Sequence, residues 1–290
     1  MNELLGNVWH GMVFDENDHS YFVQKNGITF LLDKAEGEQT IGNMVEGFAY
    51  QNQKQQNRFT TNIPSIRKGH QGFAEVIASR KDLGVFVDIG LGDKEIVVSM
   101  DELPEMRQLW PKKGDQLLVS LKTDEKDRLW ATSADDVDYL AMSKAATKEE
   151  MHNKNVTGIV YRLKMVGTFF ITEEKHIGFI HPSERFEEPR LGQKVEGRVI
   201  GVRPDGMLNV SLKPRGYEVI SSDAQMILTF LERSEFGKIP FTDKSTPESI
   251  NETFAISKAQ FKRALGSLMK EKMVIQEDGW TVLTKKPESN

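Results

Sequence analysis

The 290-residue chain is long enough for two or more domains, and its 38% hydrophobic and 28% charged side chains, with no low-complexity tract, are the balance of a folding globular protein. It has no cysteine, which excludes disulfides, zinc fingers, iron–sulfur sites and thiol catalysis and fits a reducing compartment. A net charge of −5 argues against bulk, salt-driven adhesion to nucleic acid, so any such site has to be argued from positions rather than totals.

The opening stretch MNELLGNVWHGMVF lacks a basic segment followed by a long apolar run, and no apolar window is long enough to span a bilayer. The expectation is a cytoplasmic protein with no membrane partner. Residues 1–63 form the first expected module. HSYFVQKNGITFLL contains two short extended runs, with Tyr21 in the first and Phe30 in the second, and Gly42 marks a later turn.

The second module, residues 64–136, states the pattern more clearly. In LGVFVDIG, an extended backbone puts Val85, Val87 and Ile89 on one side and Phe86 with Asp88 on the other. Arg80 and Lys81 precede this run. KEIVVSMDEL and KKGDQLLVSLKTDEKDRLWATS follow it. Residues 137–152 read as a helical connector, with Thr147 and Glu150 at capping-box spacing.

The third module, residues 153–216, repeats the second. Phe169 stands where Phe86 stood, Arg162 and Lys164 precede it, and HIGFIHPSER and RLGQKVEGRVIGVRPDGMLNVSLK follow. Lys213 and Arg215 end the module. Each copy holds about five short strands with Gly- or Asp-containing turns, the strand count of the OB barrel.

Residues 217–290 change character. Ser221 to Ser234 reads as a helix with Met226, Phe230 and Leu231 on one face and Asp223 as candidate cap. TPESINETF has a strong helix start. SKAQFKRALGSLMKEK places Phe261, Ala264, Leu265, Leu268 and Met269 on one stripe behind Ser257 as N-cap, with Lys258, Lys262, Arg263 and Lys270 off the stripe. MVIQEDGWTVLTK reads as a hairpin about Asp-Gly. Three helices and a terminal hairpin make a winged helix. The expected fold is therefore multidomain and mainly β: three tandem five-stranded OB-fold barrels followed by a C-terminal α/β winged-helix domain.

The copies resemble the S1 RNA-binding domain. VGTFF, IGFIHPSER, LGQKVEGRV and LNVSLK carry the likeness in the third module. LGVFVDIG, DEL, KKGDQLLV and RLWATS carry it in the second, with Ser99 at the histidine position of that pattern. The first is loosest, with Tyr21 as its aromatic and Phe30 at the histidine position. The order of three such modules and a winged helix resembles the conserved virulence factor B family of bacterial RNA-binding regulators.

That resemblance implies that Phe169 with His181 face RNA as one platform, Phe86 with Ser99 as a weaker one, and Tyr21 with Phe30 as a third. Aromatic stacking contributes roughly 1–3 kcal/mol per base. Arg80 and Lys81, Arg162 and Lys164 would meet phosphates along the same groove, and Lys258, Lys262 and Arg263 a further stretch of nucleic acid. Each has a plainer reading: the phenylalanines pack on neighbouring modules, and the lysines form a solvated helix face. Trp130 and Trp280 are expected to pack at domain junctions, with Arg128 a weak phosphate candidate. Enzyme signatures are missing: no Walker loop, no Gly-x-Ser-x-Gly and no metal-spaced histidine cluster. The expectation is a non-catalytic, cofactor-free protein that binds single-stranded RNA and regulates gene expression after transcription. The alternatives are a duplex-DNA regulator acting through the winged helix, and an adaptor on the ribosome or RNA-decay proteins.

Overall fold

The structure, a computed structural model, describes residues 3–214 and 221–284. It divides into two compact units, residues 1–213 and 214–290.

The first unit holds three closed five-stranded barrels. The first comprises β1 (Val8–Glu16), β2 (Ser20–Lys25), β3 (Ile28–Asp33), β4 (Met44–Gln51) and β5 (Asn57–Thr60). The second comprises β6 (Gly72–Arg80), β7 (Gly84–Asp88), β8 (Ile96–Ser99), β9 (Gln116–Thr123) and β10 (Leu129–Ser133). The third comprises β11 (Asn155–Lys164), β12 (Gly167–Thr172), β13 (Ile177–Ile180), β14 (Lys194–Val202) and β15 (Leu208–Ser211). In each barrel the third strand runs parallel to the fifth and the other pairs are antiparallel.

Alternation supplies the cores. Val85 and Val87 are fully buried in the second barrel, and Val160, Phe170 and Ile180 in the third. Each barrel also carries a bulge at the same place in its first strand, where Phe14, Ile77 and Tyr161 are the inserted residues. A bulge bends the strand and redirects a side chain, and in the third barrel that side chain becomes part of the candidate site. The glycine that opens the Gly-x-Phe strand is required by packing. Gly84 and Gly167 have φ of 139° and 151°. A Cβ would collide with the carbonyl of Val98 at Gly84 and with that of Ile180 at Gly167.

The barrels pack on one another. Tyr50 of the first and Leu191 of the third join the core of the second. Arg190 makes two hydrogen bonds to the Asp115 carboxylate, at 3.1 and 3.0 Å. The expected helical connector is two short helices, α1 (Asp136–Met142) and α2 (Lys148–Met151), separated by a non-helical stretch at 143–147. Asp135 and Asp138 form a capping box on α1, and Thr147 caps α2. Tyr139 fastens α1 down: it is buried and stacks on Tyr161 with centroids 3.9 Å apart.

The second unit is the winged helix. It comprises α3 (Ser222–Arg233), β16 (Lys238–Ile239), α4 (Pro247–Phe254), α5 (Lys258–Lys270), β17 (Val274–Glu277) and β18 (Trp280–Leu283), with sheet order β16-β18-β17. Ser257 and Gln260 form the capping box of α5, and Phe261, Ala264, Leu265 and Leu268 line its buried stripe, while Met269 is exposed. The α3 reading needs correction. Ser221 rather than Asp223 caps it, and the buried face is Ala224, Ile227, Leu228 and Leu231, with Phe230 exposed. Ala224, Ile227, Leu228 and Leu231 fall at i, i+3, i+4 and i+7, one stripe of the helix, and Phe230 lies beside it.

Candidate nucleic-acid interface

The strand register aligns the barrels residue by residue. Across the outward face of the third barrel, Arg162 on β11 pairs with Phe169 on β12, Phe169 with Phe179 on β13, and Phe179 with Asn209 on β15. The matching row in the second is Ala78, Phe86, Val97, Trp130. In the first it is Asp15, Phe22, Leu31, Arg58.

The third barrel presents the fullest row. Ring centroids run from Tyr161 to Phe169 at 6.4 Å, on to Phe179 at 5.1 Å and on to His181 at 6.5 Å. Lys164 lies 5.3 Å from the Phe169 ring. His181 opens a 3-10 turn. Its Nδ1 accepts from the Ser183 backbone N–H at 3.2 Å and lies 2.8 Å from the Ser183 hydroxyl. Among the described residues its Nε2 has no partner, and the ring is exposed. Arg162 and Lys164 both approach Asp136 of α1, at 3.7 and 3.3 Å. Burial, with Asp136 adding to it, pushes the Tyr161 phenol up to about 12, so it stays a neutral donor. Beside Tyr161 opens a cavity of about 340 Å³ between the second and third barrels, lined in part by Glu102, Tyr139, Arg162 and Lys164.

Sequence reasoning paired Phe86 with Ser99, and the register does place Ser99 where His181 stands, opposite the Gly-x-Phe glycine. Ser99 caps its own 3-10 turn by accepting from the Asp101 N–H. Sequence reasoning missed Tyr161 and Phe179 of the third row. Trp130, which it expected at a domain junction, shares the outward row with Phe86. The signal for Trp130 was present: buried Leu129 and Ala131 flank it in a five-residue strand, so the tryptophan between them must face out. Arg128 lies 5.5 Å from the Trp130 ring. Asp124 binds both, accepting from the indole N–H at 3.2 Å and from Arg128 at 2.7 Å. Although burial opposes its ionisation, hydrogen bonds from Arg128, Trp130 and Lys126 hold the Asp124 carboxyl at about 2. Arg80 is spent on Asp82 at 2.8 Å, and Lys81 is exposed in the turn beyond.

The first barrel overturns two expectations. Tyr21 and Phe30 are buried in its core, Phe30 fully, with its ring 5.2 Å from Trp9. The cause is register. Ser20 rather than His19 takes the glycine position, and a one-residue slip reverses every side chain. Phe22 is the outward aromatic. Asp33 rather than Phe30 takes the histidine position, capping its turn by accepting from the Ala35 N–H at 2.9 Å. The far end of this row is committed to the second barrel. Tyr50 donates to Asp93 at 2.7 Å, and Arg58 lies 3.6 Å from the same carboxylate. Burial and the Asp93 bond push the Tyr50 phenol well above its usual range.

Near the third row, Lys213 lies 5.4 Å from the exposed Phe186 ring. Arg215 lies outside the described residues. On α5, Lys262 and Arg263 are exposed and Lys258 is half-buried, and none forms an ion pair among the described residues. No described helix is long and apolar enough to cross a membrane.

Tandem S1-type barrels followed by a winged helix define a protein built from nucleic-acid-binding modules. Known families match in the same order: an S1 domain at residues 5–62, the CvfB first S1-like domain at 71–132, the second domain of virulence regulatory factor CvfB at 140–214 and the CvfB-like winged helix domain at 225–283. None of these is a catalytic domain. Conserved virulence factor B of Staphylococcus epidermidis is 39% identical over 246 residues, covering 85% of this chain and 82% of the relative. The uncharacterised protein YitL of Bacillus subtilis is 44% identical over 268 residues, covering 92% and 89%. A crystal structure of a multidomain protein with nucleic acid binding domains from Streptococcus pneumoniae superposes with a TM-score of 0.72 at 50% identity, covering 98% of this chain and 99% of that one. The chain belongs to the conserved virulence factor B family.

Proposed function

We propose that this protein binds single-stranded RNA without catalysis and regulates gene expression after transcription in the cytoplasm, with the third barrel as its main platform and the winged helix as a second grip. The observation that carries this reading is the outward run Tyr161–Phe169–Phe179–His181 with Lys164 beside it. Neighbouring tilted rings offer faces to successive bases without demanding a sequence, and adjacent cations follow the phosphates. The regulatory part rests on the family description as a virulence regulatory factor. Linked weak sites raise the overall affinity by effective concentration. Fluorescence anisotropy of a short labelled RNA, competed with unlabelled single-stranded RNA or duplex DNA, tests the reading. Preference for the single strand, lost with Phe169→Ala plus His181→Ala, is the expected result. Preference for duplex DNA, lost instead with Lys262→Ala plus Arg263→Ala, would overturn it in favour of a DNA-binding regulator. Negligible affinity for either would leave a protein adaptor.

A further inference from the structure

The winged-helix sheet has a second face that α5 does not use. Its strands alternate cleanly: Ile239, Val274 and Thr281 are buried, while Lys238, Ile275, Trp280 and Glu277 are exposed and Val282 is half-buried. Register lines up Lys238 on β16 with Val282 on β18, and Val282 with Ile275 on β17. The Thr281 hydroxyl donates to the Phe241 carbonyl at 2.6 Å, which anchors β18 from the buried side. Phe236, just before β16, is 73% exposed. The Lys238 ammonium lies between two rings, 5.8 Å from Phe236 and 4.8 Å from Trp280.

We infer that this outward face, formed by Phe236, Lys238 and Trp280, is a separate stacking site for single-stranded RNA. Two exposed rings about one cation match the repeating unit of a single strand, in which a base with two π-faces alternates with an anionic phosphate. A protein partner fits less well, because lysine is depleted from the cores of protein interfaces, whereas here it is the centre of the aromatic patch. Phe236, Trp280 and Ile275 are exposed together on this face beside Val282, and a grouped apolar patch, unlike a single exposed ring, marks an interaction surface. Glu277 pairs across from Trp280 on the same face. The phosphates are therefore confined to the β16 side, where Lys238 stands. Trp280, expected to pack at a junction, is the principal platform.

The inference rests on the single-stranded RNA reading above, and one set of titrations separates the two. The full-length protein is titrated with a fluorescein-labelled oligouridylate by anisotropy. Phe236→Ala, Trp280→Ala and Lys238→Gln are compared with wild type, and Lys262→Ala plus Arg263→Ala serves as the α5 control. Removing either ring should weaken binding about 5-fold or more, the equivalent of one stacked base. Lys238→Gln should make the salt dependence shallower by about one phosphate contact. Tryptophan emission should quench on RNA addition, and less so in Trp280→Phe. These residues are exposed, so equal melting temperatures will show that the variants are folded. If wild type binds the oligonucleotide and the Phe236→Ala, Trp280→Ala double variant binds as tightly, this site is wrong and the parent reading survives. If wild type binds no single-stranded RNA, both fall.

Discussion

The carboxylate of Asp136, in the first turn of α1, lies 3.3 Å from the ammonium of Lys164. Arg162 approaches the same carboxylate at 3.7 Å. An acidic helix start is thus set against the two cations that flank Phe169, where a phosphate would compete with it. Asp136→Asn should tighten single-stranded RNA binding about 2- to 5-fold at low salt, the scale of an exposed ion pair. The cost to the fold should be a few tenths of a kcal/mol, from losing a favourable charge at a helix N-terminus. Anisotropy at several salt concentrations checks this: the log–log salt slope should steepen in the variant, and an unchanged slope and affinity would show that the cations lie off the RNA path.

The second barrel should be improvable. Ser99 occupies the place of His181 and, like it, caps the following turn through its side chain. Histidine is therefore a geometrically tolerated replacement there. Ser99→His should add a stacking face beside Phe86 and tighten RNA binding by up to about 5-fold, near the low end of one stacked base. Trp130→Ala should weaken binding by a similar factor. If Trp130→Ala is silent while Phe86→Ala is not, the row does not act as one platform.

Legibility in the sequence varied with the strength of the local pattern. The third barrel and the winged helix were readable because Gly-x-Phe, His-x-Ser-Glu, the Ser257 cap and the Asp-Gly turn each dictate backbone geometry by themselves. The first barrel misled because it lacks the opening glycine. Without that anchor, Tyr21 and Phe22 are equally plausible outward residues, and only the ladder to Leu31 and Leu32 decides between them. Tyr161 was hidden for a different reason. It reaches the row through a bulge, which breaks the period-two alternation that sequence reading relies on. The Asp136 contact joins elements 28 residues apart, and no local pattern announces it.

The Tyr50–Asp93 bond should hold barrels together rather than bind RNA. Tyr50→Phe removes the phenol donor from the partly exposed Asp93 carboxylate, which keeps Arg58 at 3.6 Å, and should lower stability by about 0.5–1.5 kcal/mol, the net worth of one hydrogen bond. Tyr21→Ala or Phe30→Ala should cost more, about 3–5 kcal/mol, as truncations within a packed core. Thermal melts measure all three. RNA affinity of the folded Tyr50→Phe protein should equal that of wild type, and a selective loss of affinity without loss of stability would return the first barrel to the binding surface.

Asp124 gives the second barrel a pH signature. Its folded carboxyl titrates at about 2, against about 3.9 for an unperturbed aspartate. A depressed carboxylate contributes stability that is fully present above the unfolded value and is lost as pH falls through the folded one. The window is therefore pH 4 down to 2, and the neutral-pH protein has the whole contribution. Arg128, its ion-pair partner, is largely exposed, so the global effect should not exceed about 1 kcal/mol. The local effect should be larger, because protonation releases both Arg128 and the indole N–H from one acceptor. Trp130 emission should therefore shift between pH 4 and 2 while the fold persists. Asp124→Asn should reproduce that shift at neutral pH and weaken RNA binding by less than Trp130→Ala does, since the ring remains but is no longer held. An Asp124→Asn protein with wild-type emission and a wild-type acid titration would show that the carboxylate does not position the tryptophan.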